Sequence, residues 1–275
     1  MSNLLSANFL RLKKNKCFWG CIVFMAGAGI YFPVMNYLEM KNSGYSNNLD
    51  SGFFSCAVFA SVLLSVFCSL FVGTEYSDGT IRNKVIIGHK RTDIYLANLI
   101  TNMTAGLIMC AVYFIAYLCI GIPLLGFFET DIKIILLFVV IVIILSFTFC
   151  AIFTMVGMNT SSKALVAVIC ILSACLLLLI GTYINSRLQE PEYYNNYILT
   201  ENGVESEEEV KNPTYLEGTE RKIYEFLNDF LPGGQVVQCT SMEAKNPQIL
   251  PVYSLIIFVI TTTAGIIIFR RKDLK

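Results

Sequence analysis

The chain concentrates its polar and glycine residues in one short segment, Glu75-Tyr76-Ser77-Asp78-Gly79-Thr80-Ile81-Arg82-Asn83-Lys84, followed by Gly88-His89-Lys90-Arg91. Gly79 permits a turn that a side chain would obstruct, and Thr80 can cap a new helix that begins at Ile81. That helix would carry both apolar and basic residues, and it would be too short to be stable alone. The chemistry offered here is therefore recognition of a partner, either the membrane surface or another protein.

Patterns for catalysis or metal binding are weak. His89 is the only histidine, and no Cys-x2-Cys pair with zinc-site spacing occurs. No Gly-x4-Gly-Lys-Ser/Thr loop is present to hold the phosphates of ATP, and the spacing from Gly79 to Lys90 does not match one. A membrane-embedded enzyme would need a nucleophile with a base, or a set of metal ligands, so these residues do not favour an enzyme. We expect no cofactor or metal in this chain itself.

Ten cysteines suggest a disulfide framework by their number but not by their placement. Nine lie in apolar stretches, where a thiol behaves as a small apolar residue. We expect only Cys239 to lie outside the membrane, where a single thiol cannot close an intrachain bridge. A bond between two chains and a free thiol are both open for Cys239.

Apolar stretches dominate the rest of the chain. Apolar residues make up 55% and charged residues 15%, and the mean hydropathy is +0.63, which is more apolar than a soluble domain. A spanning helix needs about 20 mostly apolar residues, whereas a barrel strand has about 10 of alternating polarity. The sequence therefore predicts an all-α membrane protein with six transmembrane helices, at about residues 17–37, 52–73, 94–122, 134–158, 164–185 and 250–269.

The chain divides into four regions. Residues 1–16 are predicted to form an amphipathic helix at the membrane surface. Residues 17–185 are predicted to form the first five transmembrane helices, and the short polar segment described above lies within them at 74–93. Residues 186–249 predict an external domain, and 250–275 the last helix with its tail. In the external domain, 219–230 has helical apolar spacing, and Leu231-Pro232-Gly233-Gly234 predicts the end of that helix. This domain is either a lid on the membrane or a substrate gate.

Basic residues indicate the orientation of the chain. With both termini in the cytoplasm, thirteen of the twenty basic residues lie inside with only four of the twenty acidic ones. This distribution follows the positive-inside rule. The inner basic residues border the spans, where membrane lipid accounts for them, so they indicate no nucleic-acid partner.

Polar residues inside the spans are few. Asn98, Thr101 and Asn102 lie in the third span, and Asn98 and Asn102 share one face. They either bond to a neighbouring helix or line a translocation path. The run Ala26-Gly27-Ala28-Gly29 in the first span predicts a close contact between helices. No Asp or Glu lies deep in a span, which argues against a carrier coupled to protons or sodium ions.

The segment 75–91 resembles the coupling segment of type-2 ATP-binding-cassette exporter permeases, in which an acidic residue, Gly-Thr and a basic helix precede the third span. Six spans, an amphipathic elbow helix and a large outer loop before the last span are also similar to that family. Leu231-Pro232-Gly233-Gly234-Gln235 resembles a re-entry segment of bacterial permeases linked to export of, or immunity against, antimicrobial peptides such as lantibiotics and bacitracin. The resemblance implies that the following residues couple the chain to an ATPase: Glu75, Gly79, Thr80, Ile81, Arg82, Lys84 and Arg91.

The resemblance also implies partners. ATP-binding-cassette ATPase subunits would hold ATP and Mg, and a second permease subunit, identical or homologous, would complete a homodimer or heterodimer. The chain would then be the permease subunit of an ATP-driven exporter in a bacterial cytoplasmic membrane, moving an amphipathic substrate such as a peptide out of the cytoplasm or membrane. The alternative is a membrane sensor or structural protein whose extracellular domain binds a ligand.

Overall fold

The computed structural model describes residues 1–44, 48–200 and 203–273, which are mostly helical. A 3-10 turn at Phe53–Ser55 precedes the third helix, and an antiparallel hairpin separates the seventh helix from the eighth. In chain order, the elements are α1 (Ser2–Lys13), α2 (Lys16–Ser43), α3 (Cys56–Ser77), α4 (Thr80–Ile86), α5 (Arg91–Leu125), α6 (Ile132–Asn159), α7 (Lys163–Gln189), β1 (Tyr193–Thr200), β2 (Gly203–Lys211), α8 (Gly218–Phe230), α9 (Pro232–Ser241) and α10 (Leu250–Arg271).

Six of these helices, α2, α3, α5, α6, α7 and α10, are long and apolar enough to cross a membrane, as the sequence predicts. The longest, α5, has 35 residues. At 1.5 Å per residue it is about 52 Å long, whereas the hydrocarbon core of a bilayer is about 30 Å thick. One end of α5 must therefore project beyond the hydrocarbon, where it can contact polar elements.

Local capping sets where two of the spans begin. The Asn15 side chain accepts a hydrogen bond from the backbone N–H of Phe18 at 3.0 Å, which separates α1 from α2 immediately after Lys14. The Asp131 side chain accepts in the same way from Lys133 at 3.0 Å and starts α6. Both caps satisfy helix N–H groups that have no partner within the helix.

The core lies around α3, which packs against α6 and α7, while α2 packs on α5 and α10 on α6. Phenylalanines such as Phe67, Phe138 and Phe149 fill this core and are almost completely buried. A Cβ added at Gly29 would lie 2.7 Å from the Tyr113 carbonyl oxygen, so the predicted close helix contact is confirmed at that residue. The same glycine-rich run therefore brings α2 against α5.

The bundle has two distinct ends. Salt bridges and hydrogen bonds bring together α1, α4 and the end of α10, and we call this side the basic end. At the opposite side, Asp50 accepts hydrogen bonds from the backbone N–H groups of Glu129 and Thr130, both at 3.1 Å, which joins the loops after α2 and α5. We call this side the acidic end, after Asp50. Residues of α9 also lie there, beside Asp50.

The prediction that the chain is all-α is wrong between α7 and α8. There, β1 and β2 pair antiparallel, with Tyr193 opposite Lys211 and Thr200 opposite Gly203. The first strand is rich in tyrosine and aliphatic residues, which favour strands. The sequence therefore carried a strand signal that the acidic composition of the segment obscured.

Helix α8 ends at Phe230, as predicted, but Pro232 then opens a further helix, α9. Proline suits the first turn of a helix because its missing N–H needs no partner there. A Cβ added at Gly233 would lie 1.8 Å from the Leu177 carbonyl oxygen, so the glycine allows α9 to touch the backbone of α7.

Helix α9 also contacts α3 and α6, and its residues belong to the core of the bundle. The Cys239 side chain is completely buried within that core, and its expected place outside the membrane stays a prediction. Burial raises the pKa of the Cys239 thiol to about 12. A bond from this thiol to another chain would require α9 to leave its place.

Candidate coupling site

Glu75 lies in the last turn of α3 and is almost completely buried, with 1% of its side chain exposed. Its Oε1 accepts from the guanidinium of Arg11 on α1 and from Nζ of Lys84 on α4, the latter at 2.5 Å. Its Oε2 accepts from Nδ2 of Asn98 on α5 at 2.9 Å. One carboxylate thus joins four helices. We call Asn8, Arg11, Glu75, Lys84 and Asn98 the Glu75 cluster.

Two further hydrogen bonds close this cluster. Asn8 donates to Oδ1 of Asn98 at 3.4 Å, and Lys84 donates to Oδ1 of Asn8 at 3.2 Å. Both asparagines are buried. Breaking a buried ion pair by removing one partner costs about 3 to 5 kcal/mol, because the other charge is left unpaired. The four helices should therefore be difficult to separate at this point.

Arg11 also holds α1 against α3 directly. Its Nη2 donates to the Phe71 carbonyl oxygen at 3.1 Å, and its guanidinium carbon lies 3.6 Å from the centroid of the Phe71 ring. Burial lowers the pKa of Arg11, and the Glu75 carboxylate opposes that shift. A guanidinium is well suited to this place because it combines several hydrogen bonds with a stacked contact.

The turn between α3 and α4 depends on glycine. Gly79 has φ of +67°, in the left-handed region, and a Cβ added there would meet no atom of the described residues within 4 Å. The prediction that Thr80 caps a helix starting at Ile81 is wrong, because α4 already includes Thr80. Its hydroxyl instead donates backwards to the Glu75 carbonyl oxygen at 3.0 Å, which ties the start of α4 to the end of α3.

The apolar residues of α4 and its following turn point in two directions. Ile81 is buried and packs with Ile94 and Tyr95 of α5. Ile86 and Ile87, in contrast, are 70% and 77% exposed. Such exposure of neighbouring isoleucines beside basic residues is typical of a contact surface. We call these exposed residues the α4 knob: Arg82, Asn83, Ile86, Ile87 and Lys90.

Arg91 fastens the start of α5 to the end of α10. Its Nη1 donates to the carbonyl oxygens of Phe269 at 3.2 Å and Arg270 at 3.0 Å, and also to that of Lys272. A cation at a helix C-terminus satisfies carbonyls that lack partners and interacts favourably with the helix dipole. The turn after α4 is therefore connected to the last transmembrane helix.

Lys272 extends this connection toward α3 and α6. Its Nζ donates to the Tyr76 hydroxyl at 3.0 Å and lies 4.1 Å from the centroid of that ring. Tyr76 in turn donates to the Met158 carbonyl oxygen near the end of α6. Burial lowers the pKa of the Lys272 ammonium to about 8.

Asn98, Thr101 and Asn102 are completely buried. Asn98 belongs to the Glu75 cluster, whereas the Thr101 hydroxyl donates to the Ala97 carbonyl oxygen of its own helix at 2.8 Å. Asn102 donates to Oγ1 of Thr154 on α6 at 2.8 Å. These bonds agree with the helix-packing interpretation, and a role in a translocation path stays a prediction.

Sequence reasoning missed four members of these networks: Asn8, Arg11, Tyr76 and Lys272. For Asn8 a signal exists, since it interrupts an apolar stripe of α1 that runs from Leu4 to Leu12 at four-residue spacing. Leu4 and Leu12 are both buried, so an asparagine between them needs a polar partner. Within the described residues, no group of three His, Cys, Asp or Glu side chains is placed to hold a metal ion.

A comparison with protein families agrees with this arrangement. The family model of the ABC-2 family transporter proteins matches residues 4–180, from α1 to the middle of α7. The chain belongs to the ABC-2 transporter family. The matched part includes the Glu75 cluster and the α4 knob, and it identifies the chain as a multi-pass membrane component of a transporter. Membership in this family implies an ATPase partner subunit. No curated protein matches the chain.

Proposed function

We propose that the chain is the permease subunit of an exporter driven by a separate ATPase, which binds the α4 knob. The observation that carries this proposal is the Glu75 cluster. It ties a short, exposed helix to α1, α3 and α5 through buried, charged hydrogen bonds. A helix that served only to cover the membrane surface would not need such connections.

The connections define how force would pass from the ATPase. A displacement of α4 acts on α3 through the Lys84–Glu75 pair and the Thr80 hydrogen bond. It acts on α5 through Asn98, and on α10 through the hydrogen bonds of Arg91. Closure of the ATPase around nucleotide would therefore move three transmembrane helices together rather than α4 alone.

The knob also indicates the chemistry of its partner. Ile86 and Ile87 offer an apolar centre, and Arg82 and Lys90 are exposed basic residues beside it. An interface of this kind gains most of its affinity from the apolar residues and its orientation from the charges. The ATPase surface should therefore be an apolar cleft with acidic residues at its rim.

In this proposal the basic end faces the cytoplasm of a bacterial cell, and a second permease subunit completes the transporter. The substrate is an amphipathic molecule, and we favour a peptide of the antimicrobial class. Ile223 and Phe226 on α8 are about half exposed on a helix that also carries charged residues. Such an amphipathic helix at the acidic end would contact an amphipathic substrate as it leaves.

A sensor is the alternative, and one observation favours it. A polar cavity of about 170 Å³ lies between α7, α8 and α9, with Arg221, Glu225 and Asp229 among the lining residues. Burial raises the pKa of Asp229, and a hydrogen bond from Lys245 lowers that of Glu225. A small polar ligand could be recognised there without any ATPase.

Copurification separates the two functions. The full chain is isolated from its native membrane in mild detergent, and the copurifying proteins are identified by mass spectrometry. Gly79→Trp would disturb the turn before α4, whereas Gly126→Trp places the same change at the acidic end, also at a glycine with positive φ in open space. We expect an ATPase subunit with the unmodified chain and with Gly126→Trp, but not with Gly79→Trp. Recovery of no ATPase by the unmodified chain would favour the sensor.

A further inference from the structure

An apolar groove lies on the outside of the bundle near the basic end, on the α2 side of α5 and away from the α4 knob. It has a volume of about 660 Å³ and is formed by one face each of α1, α2 and α5. Its walls include Phe18, Ile22, Ile108 and Val112. The hydroxyl of Thr104, also in the wall, is satisfied by the Ile100 carbonyl oxygen at 2.9 Å. The interior therefore suits a hydrocarbon chain.

The groove has about the depth of one leaflet. Thr104, Ile108 and Val112 lie on successive turns of one face of α5, and at 1.5 Å per residue they cover about 12 Å. One leaflet contributes about 15 Å to the hydrocarbon core. Ile108 is 38% exposed, so this wall is open to the surroundings of the bundle. An acyl chain of the adjacent leaflet can therefore lie along it.

The mouth of the groove is basic. Lys13 lines it, and the exposed Lys14 and Lys16 follow. No ion pair between described residues involves these three lysines, whereas the nearby Arg11 is paired with Glu75. Trp19 lines the groove beside them, and its Nε1 donates to the Lys13 carbonyl oxygen at 2.9 Å. Tryptophan and lysine are the residues that proteins place at the boundary between hydrocarbon and headgroups.

We propose that this groove is a binding site for one anionic phospholipid of the leaflet at the basic end. Its acyl chain lies along Thr104, Ile108 and Val112, and its headgroup phosphate contacts Lys13. A second copy of the chain is a poorer occupant, because a symmetric contact would bring the lysines of both mouths together. A lipid with a net negative charge instead neutralises them.

The single tryptophan of the chain, Trp19, makes occupancy directly measurable. The full chain is reconstituted in vesicles of phosphatidylcholine, and lipids with brominated acyl chains, which quench tryptophan on contact, are added in increasing fractions. We expect brominated phosphatidylglycerol to quench Trp19 at an about fivefold lower fraction than brominated phosphatidylcholine, as a lysine beside an anionic headgroup predicts. Lys13→Gln should reduce this preference to near unity, and Lys163→Gln, at an exposed lysine that starts α7 outside the groove, should leave it unchanged.

A second pair of variants tests the groove itself. Thr104→Phe would fill it without adding a tryptophan and should weaken quenching by both lipids. Ile115→Phe, at a 62% exposed residue of α5 outside the groove, should not. Equal quenching by the two lipids would overturn the proposal in favour of ordinary bilayer contact. A preference that survives Thr104→Phe would show headgroup attraction without a groove, and no quenching by either lipid would show that protein covers Trp19.

Discussion

The substitution Glu75→Gln should destabilise the protein more than its small change in shape suggests. The amide keeps the size of the carboxylate and can still accept from Asn98, so packing is retained. What is lost is the negative charge that faces Arg11 and Lys84, whose side chains are only 30% and 16% exposed. The variant therefore leaves two partly buried cations next to each other without a counter-charge.

The size of the effect follows from this burial. Removing one member of a buried ion pair costs about 3 to 5 kcal/mol. Both cations reach some solvent, and Arg11 keeps its hydrogen bond to the Phe71 carbonyl oxygen and its contact with that ring. We therefore expect the lower limit, a loss of about 3 kcal/mol in the free energy of unfolding. Replacing Lys84 by Met in the same chain removes one unpaired cation and should recover about 1 kcal/mol.

Reversible unfolding of the purified chain in mixed micelles, followed by circular dichroism, measures this free energy. Asp78→Asn is the matched control, because Asp78 is an exposed acid three residues away whose side chain accepts from Ser77 at 3.2 Å. Its replacement should change the free energy by no more than about 0.5 kcal/mol. A loss below about 1 kcal/mol for Glu75→Gln, or one equal to that of the control, would show that the Glu75 charge does not stabilise the cluster.

Three further predictions concern backbone and charge. Gly79→Val should cost about 1 to 2 kcal/mol of unfolding free energy, because residue 79 has a left-handed φ that valine disfavours. Gly79→Asn should cost less, since asparagine tolerates that conformation better. Equal losses for the two variants would show that the left-handed φ is not the cause. Gly233→Ala should cost about 3 kcal/mol of unfolding free energy, because its Cβ would lie 1.8 Å from the Leu177 carbonyl oxygen. Gly27→Ala is the neutral control, since a Cβ there would meet no described atom within 4 Å. Equal losses for the two variants would show that α9 does not pack against α7 in this way. Lys272 should titrate near pH 8 in NMR spectra of the methylated protein, and a pKa above 10 would contradict its burial. The pKa of Lys272 is lower in the folded protein than the value of about 10.4 expected in the unfolded chain. The contribution of Lys272 to the free energy of unfolding is therefore complete above about pH 10.4 and is lost as the pH falls to about 8.

The transmembrane helices could be predicted because a bilayer imposes a length and excludes charge. The last span, predicted at 250–269, is Leu250–Arg271 in the structure. The first helix, predicted to Lys16, ends at Lys13 because Asn15 caps the next helix. Boundaries of this kind depend on one side-chain hydrogen bond and can be read from sequence only when the cap is noticed.

The segment between α7 and α10 was harder to predict. The Pro-Gly-Gly run predicts the end of α8, and α8 does end at Phe230. The glycines also lie inside the next helix, α9, where they permit close contact with α7, since a Cβ added at Gly181 of α7 would lie 2.2 Å from the carbonyl carbon of Gly233. This second effect depends on the position of α7, which the local sequence does not indicate. The burial of Cys239 follows from the same contact.

Three of the five members of the Glu75 cluster could be anticipated, because Glu75 and Lys84 are charges near the end of an apolar span and Asn98 is an amide within one. Their partners on α1 could not, since Asn8 and Arg11 lie 90 and 64 residues from Asn98 and Glu75 in the chain. Contacts over such separations arise from tertiary packing. A polar residue in an apolar stripe shows that a partner is needed but not which residue provides it.

Site-specific photo-crosslinking in the native membrane can test the claim that the α4 knob binds the ATPase. Benzoylphenylalanine would replace Ile87 in the knob or, as the control, Phe127 at the acidic end; these side chains are 77% and 79% exposed. We predict a crosslink from position 87 to an ATP-binding subunit and none from position 127. Absence of that crosslink from position 87, or an equal one from position 127, would contradict the claim.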